Sequence, residues 1–248
     1  MSKKKPSAAY LAVKKTVWAL FPKMKVEGWE NLPEGAAVIV GNHAQMNGPI
    51  AAELYLGENR YTWCAGQMMT LKEVPAYAFQ DFWSQKPKSV RWLYRLFSYL
   101  IAPLSVFIFT NANTIPVYHD ARVLLTFRET LRKLRKGARI VIFPEHNVPR
   151  NNIVCEFQER FVDLAQMYYG MTHEALAFVP LYTTPTLKKM ILGAPVLFDP
   201  ERPIEEERSR ICEELMRSIT QIARGLPRHT VIPYANMPQK DYPCNLSE

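Results

Sequence analysis

The sequence predicts an α/β fold: a mixed, mostly parallel sheet flanked by helices, preceded by an N-terminal amphipathic helix. Three observations carry this. Segments of helical periodicity alternate with short apolar runs. The clearest of those runs, ARIVIF at 138–143, reads as a strand buried on both faces, as strands covered by helices on both sides are. And 248 residues, 48% hydrophobic and 22% charged, suffice for a large core and exclude a disordered tail, a collagen-like fibre or a coiled coil.

The elements follow in order. Residues 7–21 place Tyr10, Val13, Val17 and Leu20 on one helical face, widened by Leu11, Trp18 and Phe21. Lys14 and Lys15 interrupt the apolar stretch, so it is no signal-peptide core. The helix suits either a membrane interface or packing on its own domain. Strands are expected at 36–40, 61–65, 114–117, 138–143, 176–181, 189–192 and 196–198. The apolar run LFSYLIAPLSVFIF at 96–109 is shorter than a bilayer span and carries Pro103, so it reads as a buried or membrane-dipping helical hairpin. Asp120 can cap a helix whose stripe is Val123, Leu124, Phe127, Leu131 and Leu134, ended by Gly137. With the strands on either side it forms a βαβ unit. A long helix at 204–223 turns Ile211, Leu215, Ile219 and Ile222 inward, and its first turn is acidic, as the helix dipole favours. No repeat or low-complexity linker appears. The expected organisation is a membrane-associating helix at 1–25, one domain at 26–225 and a surface tail at 226–248.

A net charge of +8, from 31 basic and 23 acidic residues, fits nucleic acid, a membrane surface or an anionic substrate. No RNP-like, helix-turn-helix or zinc pattern accompanies it, so nucleic acid is not an expected partner. Cys64, Cys155, Cys212 and Cys244 lie far apart with no CxxC pair, which reads as reduced thiols in a reducing compartment. No GxSxG elbow supports a hydrolase.

Two strand ends carry unusual polar residues: VIVGNHAQMNGPI places His43 directly after one strand, and VIFPEHNVPRNN places Glu145 directly after another. Ligands of open α/β sheets bind beyond the carboxyl ends of strands, so these two residues are the candidate catalytic pair.

Those residues also resemble a known family. Asn42-His43 followed by Pro49, and Phe143-Pro144-Glu145, resemble the first and third motifs, NHxxxxDP and FPEG, of the glycerolipid acyltransferases, the lysophosphatidic acid acyltransferase-like enzymes. Ile115-Pro116-Val117 and Val179-Pro180-Leu181 resemble the second and fourth in order and spacing, and EGWENLPEGAAVIVGNH and LGAPVLFD also fit. The resemblance spans about residues 26–225. It implies a glycerol-3-phosphate acyltransferase-like fold and transfer of a fatty acyl group from acyl-CoA or acyl carrier protein to a lysophospholipid hydroxyl. It implies His43 as general base and Glu145 holding the acceptor. It implies no metal and no bound cofactor, and a protein on the cytoplasmic face of a membrane, peripheral to it, with lipid as partner. Asn42, Asn47, Gly48, His119, His146 and Arg150 are the implied substrate-binding positions, with the turn at Asn47-Gly48 a source of oxyanion donors.

The departures are as informative. The family aspartate five residues after the histidine is Gly48. In a serine-protease triad, replacing the orienting carboxylate costs on the order of 10⁴ in rate. Either Asn47, Glu53, Asp120, Glu145 or a main-chain carbonyl orients His43, or the chain is a weak or inactive lipid-binding relative. If no orienter exists, Gly48→Asp should gain activity. The motif arginine of the second motif is His119, the third motif's glycine is His146, and the arginine three residues after the glutamate is Val148. Neither His nor Val replaces bidentate phosphate binding; Arg150 or Arg122 could compensate in part. The acceptor site is therefore either a rearranged anion site or one for a lipid without a glycerol phosphate.

Overall fold

The computed structural model describes residues 7–84, 86–118 and 120–247. His119 and the basic residues Lys3, Lys4 and Lys5 lie outside the described residues. In chain order the elements are α1 (Ala8–Leu20), β1 (Lys25–Glu27), β2 (Ala37–Gly41), α2 (Asn47–Tyr55), β3 (Arg60–Ala65), α3 (Val74–Ala78) and α4 (Arg91–Asn111). They continue with β4 (Thr114–Val117), α5 (Val123–Leu134), β5 (Arg139–Ile142), β6 (Glu145–Pro149), β7 (Cys155–Phe157) and α6 (Asp163–Thr172). The last are β8 (Ala177–Thr184), β9 (Lys189–Leu192), β10 (Val196–Leu197) and α7 (Ile204–Arg224).

The main sheet has the strand order β1-β9-β8-β2-β5-β3-β4, with β10 on β8. The β2–β5, β2–β8, β3–β5 and β1–β9 pairs are parallel, and β8–β9 and β8–β10 antiparallel. The fold is thus α/β with a mixed, mostly parallel sheet flanked by helices. The chain divides into two compact units: residues 1–21 with 63–126, and residues 22–62 with 127–248.

The larger unit centres on β2 and β8, every residue of which is buried. An unbroken apolar strand needs cover on both faces. Helix α7 supplies part of it with Ile211, Leu215, Ile219 and Ala223, all inaccessible and spaced four apart. The β6–β7 hairpin has no counterpart in the expected strands: EHNVP lacks the alternation that marks one. Arg60, 2% exposed, donates to the carbonyls of Ala52 and Glu53 and pairs with the Glu53 carboxylate at 2.7 Å, closing the C-terminal end of α2. The segment 226–248, expected on the surface, buries His229, Val231 and Asn245.

The smaller unit has a modest core, in which Met68, Val74, Ala78 and Ala102 are buried and Tyr77, Phe82, Trp83, Ile101 and Phe109 pack around them. The break expected at Pro103 does not occur: α4 is one helix of 21 residues with Pro103 inside it. Proline removes a single N–H, the one that would reach the carbonyl four residues back, and leaves the turns on either side to carry the helix through. By length and composition, residues Lys88–Asn111 are sufficient to cross a membrane. Only Ser98, Ala102 and Ser105 of α4 are buried. Trp92, Leu96, Leu100 and Leu104, at a strict four-residue spacing, each expose half or more of their surface. Helix α1, capped by Ser7 on the Tyr10 N–H, buries only Tyr10 and exposes Leu11, Trp18 and Leu20.

Candidate active site

The parallel register of β2 and β5 builds the site. Val40 lies opposite Ile142, an offset of 102 residues. Three residues beyond that pair, past both strand ends, the same offset sets His43 against Glu145. Glu145 is 3% exposed, and its carboxylate accepts the main-chain N–H of His43 with one oxygen and that of Cys155, at 2.9 Å, with the other. Burial pushes this carboxyl up to about 7, against the opposing pull of its two main-chain donors. Glu145 is therefore a strut between the turn after β2 and the start of β7. Both oxygens are engaged by the chain itself.

The turn from His43 to Gly48 is strained and heavily tied. Ala44 and Gln45 both adopt left-handed backbone, φ 45° and 54°. This is a costly conformation for residues with a Cβ and persists only where surroundings enforce it. Asn47 donates to the Ala44 carbonyl from its side chain at 2.9 Å and from its main chain at 3.1 Å, and the Gly48 N–H donates to the His43 carbonyl at 2.9 Å. The two N–H groups nominated as oxyanion donors are thus used inside the turn. The path brings the Gln45 carbonyl back onto Nδ1 of His43. A carbonyl only accepts, so Nδ1 carries the proton and Nε2 is the basic nitrogen of the neutral ring. Of the possible orienters, a main-chain carbonyl occupies the position. Glu53 is paired with Arg60, and Asp120 with Arg122 at 2.7 Å.

Gly48 leaves no space for an aspartate. A Cβ there would sit 2.6 Å from the Asn42 carbonyl oxygen, 2.7 Å from that of His43 and 2.9 Å from the Phe143 ring. Gly48→Asp therefore brings a clash rather than an orienter: one of the two oxygens it would meet is the His43 carbonyl that accepts the Gly48 N–H.

Asn42 is 1% exposed and continues the β2–β8 ladder with its side chain, donating to the Thr183 carbonyl at 3.1 Å and accepting the Thr183 N–H at 2.7 Å. It holds the strand end rather than facing open space. His146 follows Glu145 on β6 and is half-buried. The Arg150 guanidinium is held by Glu213 through two bonds of 2.7 and 2.5 Å, with Glu156 at 3.5 Å. Arg122 is committed to Asp120 and lies over the Tyr118 ring. Burial pushes the Cys155 thiol up to about 11, which leaves little thiolate near neutral pH. Among the described residues, no group of three or more His, Cys, Asp or Glu is placed to hold a metal.

Two residues escaped sequence reasoning. The Tyr234 ring meets His43 edge-on, centroids 5.6 Å apart, as the Phe143 ring does at 5.5 Å. The Tyr242 hydroxyl accepts from the Gln45 side-chain amide at 2.8 Å. Both come from the C-terminal segment, nearly 200 residues from the turn, and no periodicity or motif links the two.

No protein-family model matches the chain, and no curated protein matches it in sequence. Among solved structures it is similar to the 1-acyl-sn-glycerophosphate (LPA) acyltransferase PlsC from Thermotoga maritima, with a TM-score of 0.50 and 18% identity over 88% of this chain and 80% of that one. At this identity the likeness is one of fold, and it accords in fold with the resemblance carried by the motifs.

Proposed function

We propose that this chain is an O-acyltransferase, peripheral to the cytoplasmic face of a membrane. In this reading it moves a fatty acyl group from acyl-CoA or acyl carrier protein to a hydroxyl of a lysophospholipid or related lipid. One observation carries the reading: the Gln45 carbonyl on Nδ1 of His43 leaves Nε2 as the basic nitrogen, the arrangement a general base needs. The fold likeness to an LPA acyltransferase supports it at the level of acyl transfer.

The chemistry follows from that ring. Nε2 takes the proton of the acceptor hydroxyl as its oxygen bonds to the thioester carbonyl carbon, and charge moves onto the carbonyl oxygen. Collapse of the tetrahedral intermediate breaks the carbon–sulfur bond, and the imidazolium returns its proton to the leaving thiolate. A carbonyl holds the tautomer as a carboxylate would, but stabilises the imidazolium less, because it carries only partial charge. The exposed apolar stripe of α4 and the apolar side chains of α1 favour delivery of the lipid from a bilayer, with basic residues beside them adding about 1 kcal/mol each near anionic lipid.

The engagement of Arg150 by Glu213 favours an acceptor without a glycerol phosphate. Purified protein given acyl-CoA or acyl carrier protein with lysophosphatidic acid and with a neutral lysolipid tests this. Turnover of the neutral acceptor at least equal to that of lysophosphatidic acid is expected, and clear preference for the phosphate would remove it. A lipid-binding chain without turnover is the second reading, favoured by Gly48 in place of a carboxylate; no transfer to any acceptor with vesicle binding intact would establish it.

A further inference from the structure

We propose that Tyr242 is a positioning residue for His43, acting through Gln45. This deepens the general-base reading and rests on it. The tautomer of His43 depends on the Gln45 carbonyl, and that carbonyl points at Nδ1 only while Ala44 and Gln45 remain in left-handed backbone. Alanine and glutamine leave that region readily when nothing holds them. The ties made within the turn fasten Ala44, through Asn47, and His43, through Gly48. Gln45 is fastened from outside, by its side-chain amide on the Tyr242 hydroxyl at 2.8 Å.

The far end of that tie is itself anchored. Asn245, fully buried, donates to the Ala223 carbonyl at the end of α7 and accepts the His229 N–H. Val231 donates to the Pro243 carbonyl, next to Tyr242, and Thr230 bridges Cys244. His229 is bound at both ring nitrogens, to the Pro227 carbonyl and, at 2.8 Å, to the Tyr182 hydroxyl on β8. The C-terminal segment thus carries a rigid reference from the central sheet back to the turn. It occupies a role that the family motif gives to a side chain five residues after the histidine, where this chain has Gly48.

The test is Tyr242→Phe, which removes one hydroxyl and keeps the ring, beside Gln45→Ala and the double variant. Nitrogen-15 spectra of the His43 ring report the tautomer directly and need no turnover. The expected result is a shift of the wild-type Nδ1–H population toward a mixture in each single variant, with no further shift in the double variant. In an acyl-transfer assay kcat falls roughly fivefold, the scale of one neutral hydrogen bond, with KM unchanged. The double variant loses no more than either single one, since both break the same tie. His43 spectra identical to wild type in Tyr242→Phe would overturn the proposal, even if the protein were less stable. If wild type itself shows no acyl transfer, the general-base reading fails, while the spectra still decide whether Tyr242 sets the ring.

Discussion

The two units handle their side chains in opposite ways. In the larger one, three polar groups at the strand ends are taken inside and tied down: Asn42 to Thr183, Glu145 to two main-chain donors, Arg60 to the end of α2. In the smaller one, apolar groups are left outside, with Trp92, Leu96, Leu100 and Leu104 of α4 in solvent at a regular spacing. A buried polar group must be satisfied or it costs free energy, so the first pattern makes a rigid site. An apolar stripe with nothing over it among the described residues gains nothing from folding, and under the proposed function it is the part that meets the bilayer. Substitutions in the two units should therefore fail in different currencies: stability and geometry in one, association in the other.

The largest expected effect tests the first half of that contrast. Gly48→Asp forces a Cβ within 3 Å of two main-chain oxygens and the Phe143 ring, and should destabilise by about 3 kcal/mol or more in urea unfolding, with no gain in activity. A stable, more active variant would show that the turn can open to admit a carboxylate.

The next effect is one of pH. Burial favours the neutral form of Glu145, so between pH 4.5 and about 7 the folded protein retains a proton that the unfolded chain has released. Stability from this group therefore falls as pH rises through that window and is level above it. Unfolding of wild type and Glu145→Gln, compared from pH 4.5 to 8, should show the wild-type advantage shrinking by about 3 kcal/mol, since the amide does not titrate. A difference independent of pH would mean that the two main-chain donors, not burial, dominate this carboxyl.

The smallest effect on stability belongs to the other unit. Leu96→Glu with Leu100→Glu should change unfolding by no more than about 0.5 kcal/mol per site, because neither side chain is buried. The same pair should abolish binding to anionic vesicles. Unfolding of the double variant, or undiminished vesicle binding, would show that the stripe is part of the core or idle.

The sequence, read as one domain at 26–225, does not show the two units, but several of their elements are legible in it. Strands β4 and β9 and helix α7 follow from short apolar runs and from a clear helical stripe, signals that burial itself imposes. His43 and Glu145 were found as strand-end residues, yet their juxtaposition needs the β2–β5 register, which a single chain does not reveal. The Gln45 carbonyl was out of reach because the main chain has no sequence signature, and its aim depends on left-handed residues of unremarkable type. Tyr242 was out of reach because its contact closes a loop of 197 residues. The hairpin expected at 96–109 failed because proline weakens one bond and does not by itself turn a chain.

Under the proposed function, His43, held by a main-chain carbonyl, is the base for acyl transfer. Purified wild type and His43→Ala, given acyl-CoA or acyl carrier protein with a panel of lysolipids, test it most directly. Transfer by wild type and a loss of at least about 10³-fold in kcat in the variant are expected. Equal product from both proteins would contradict it.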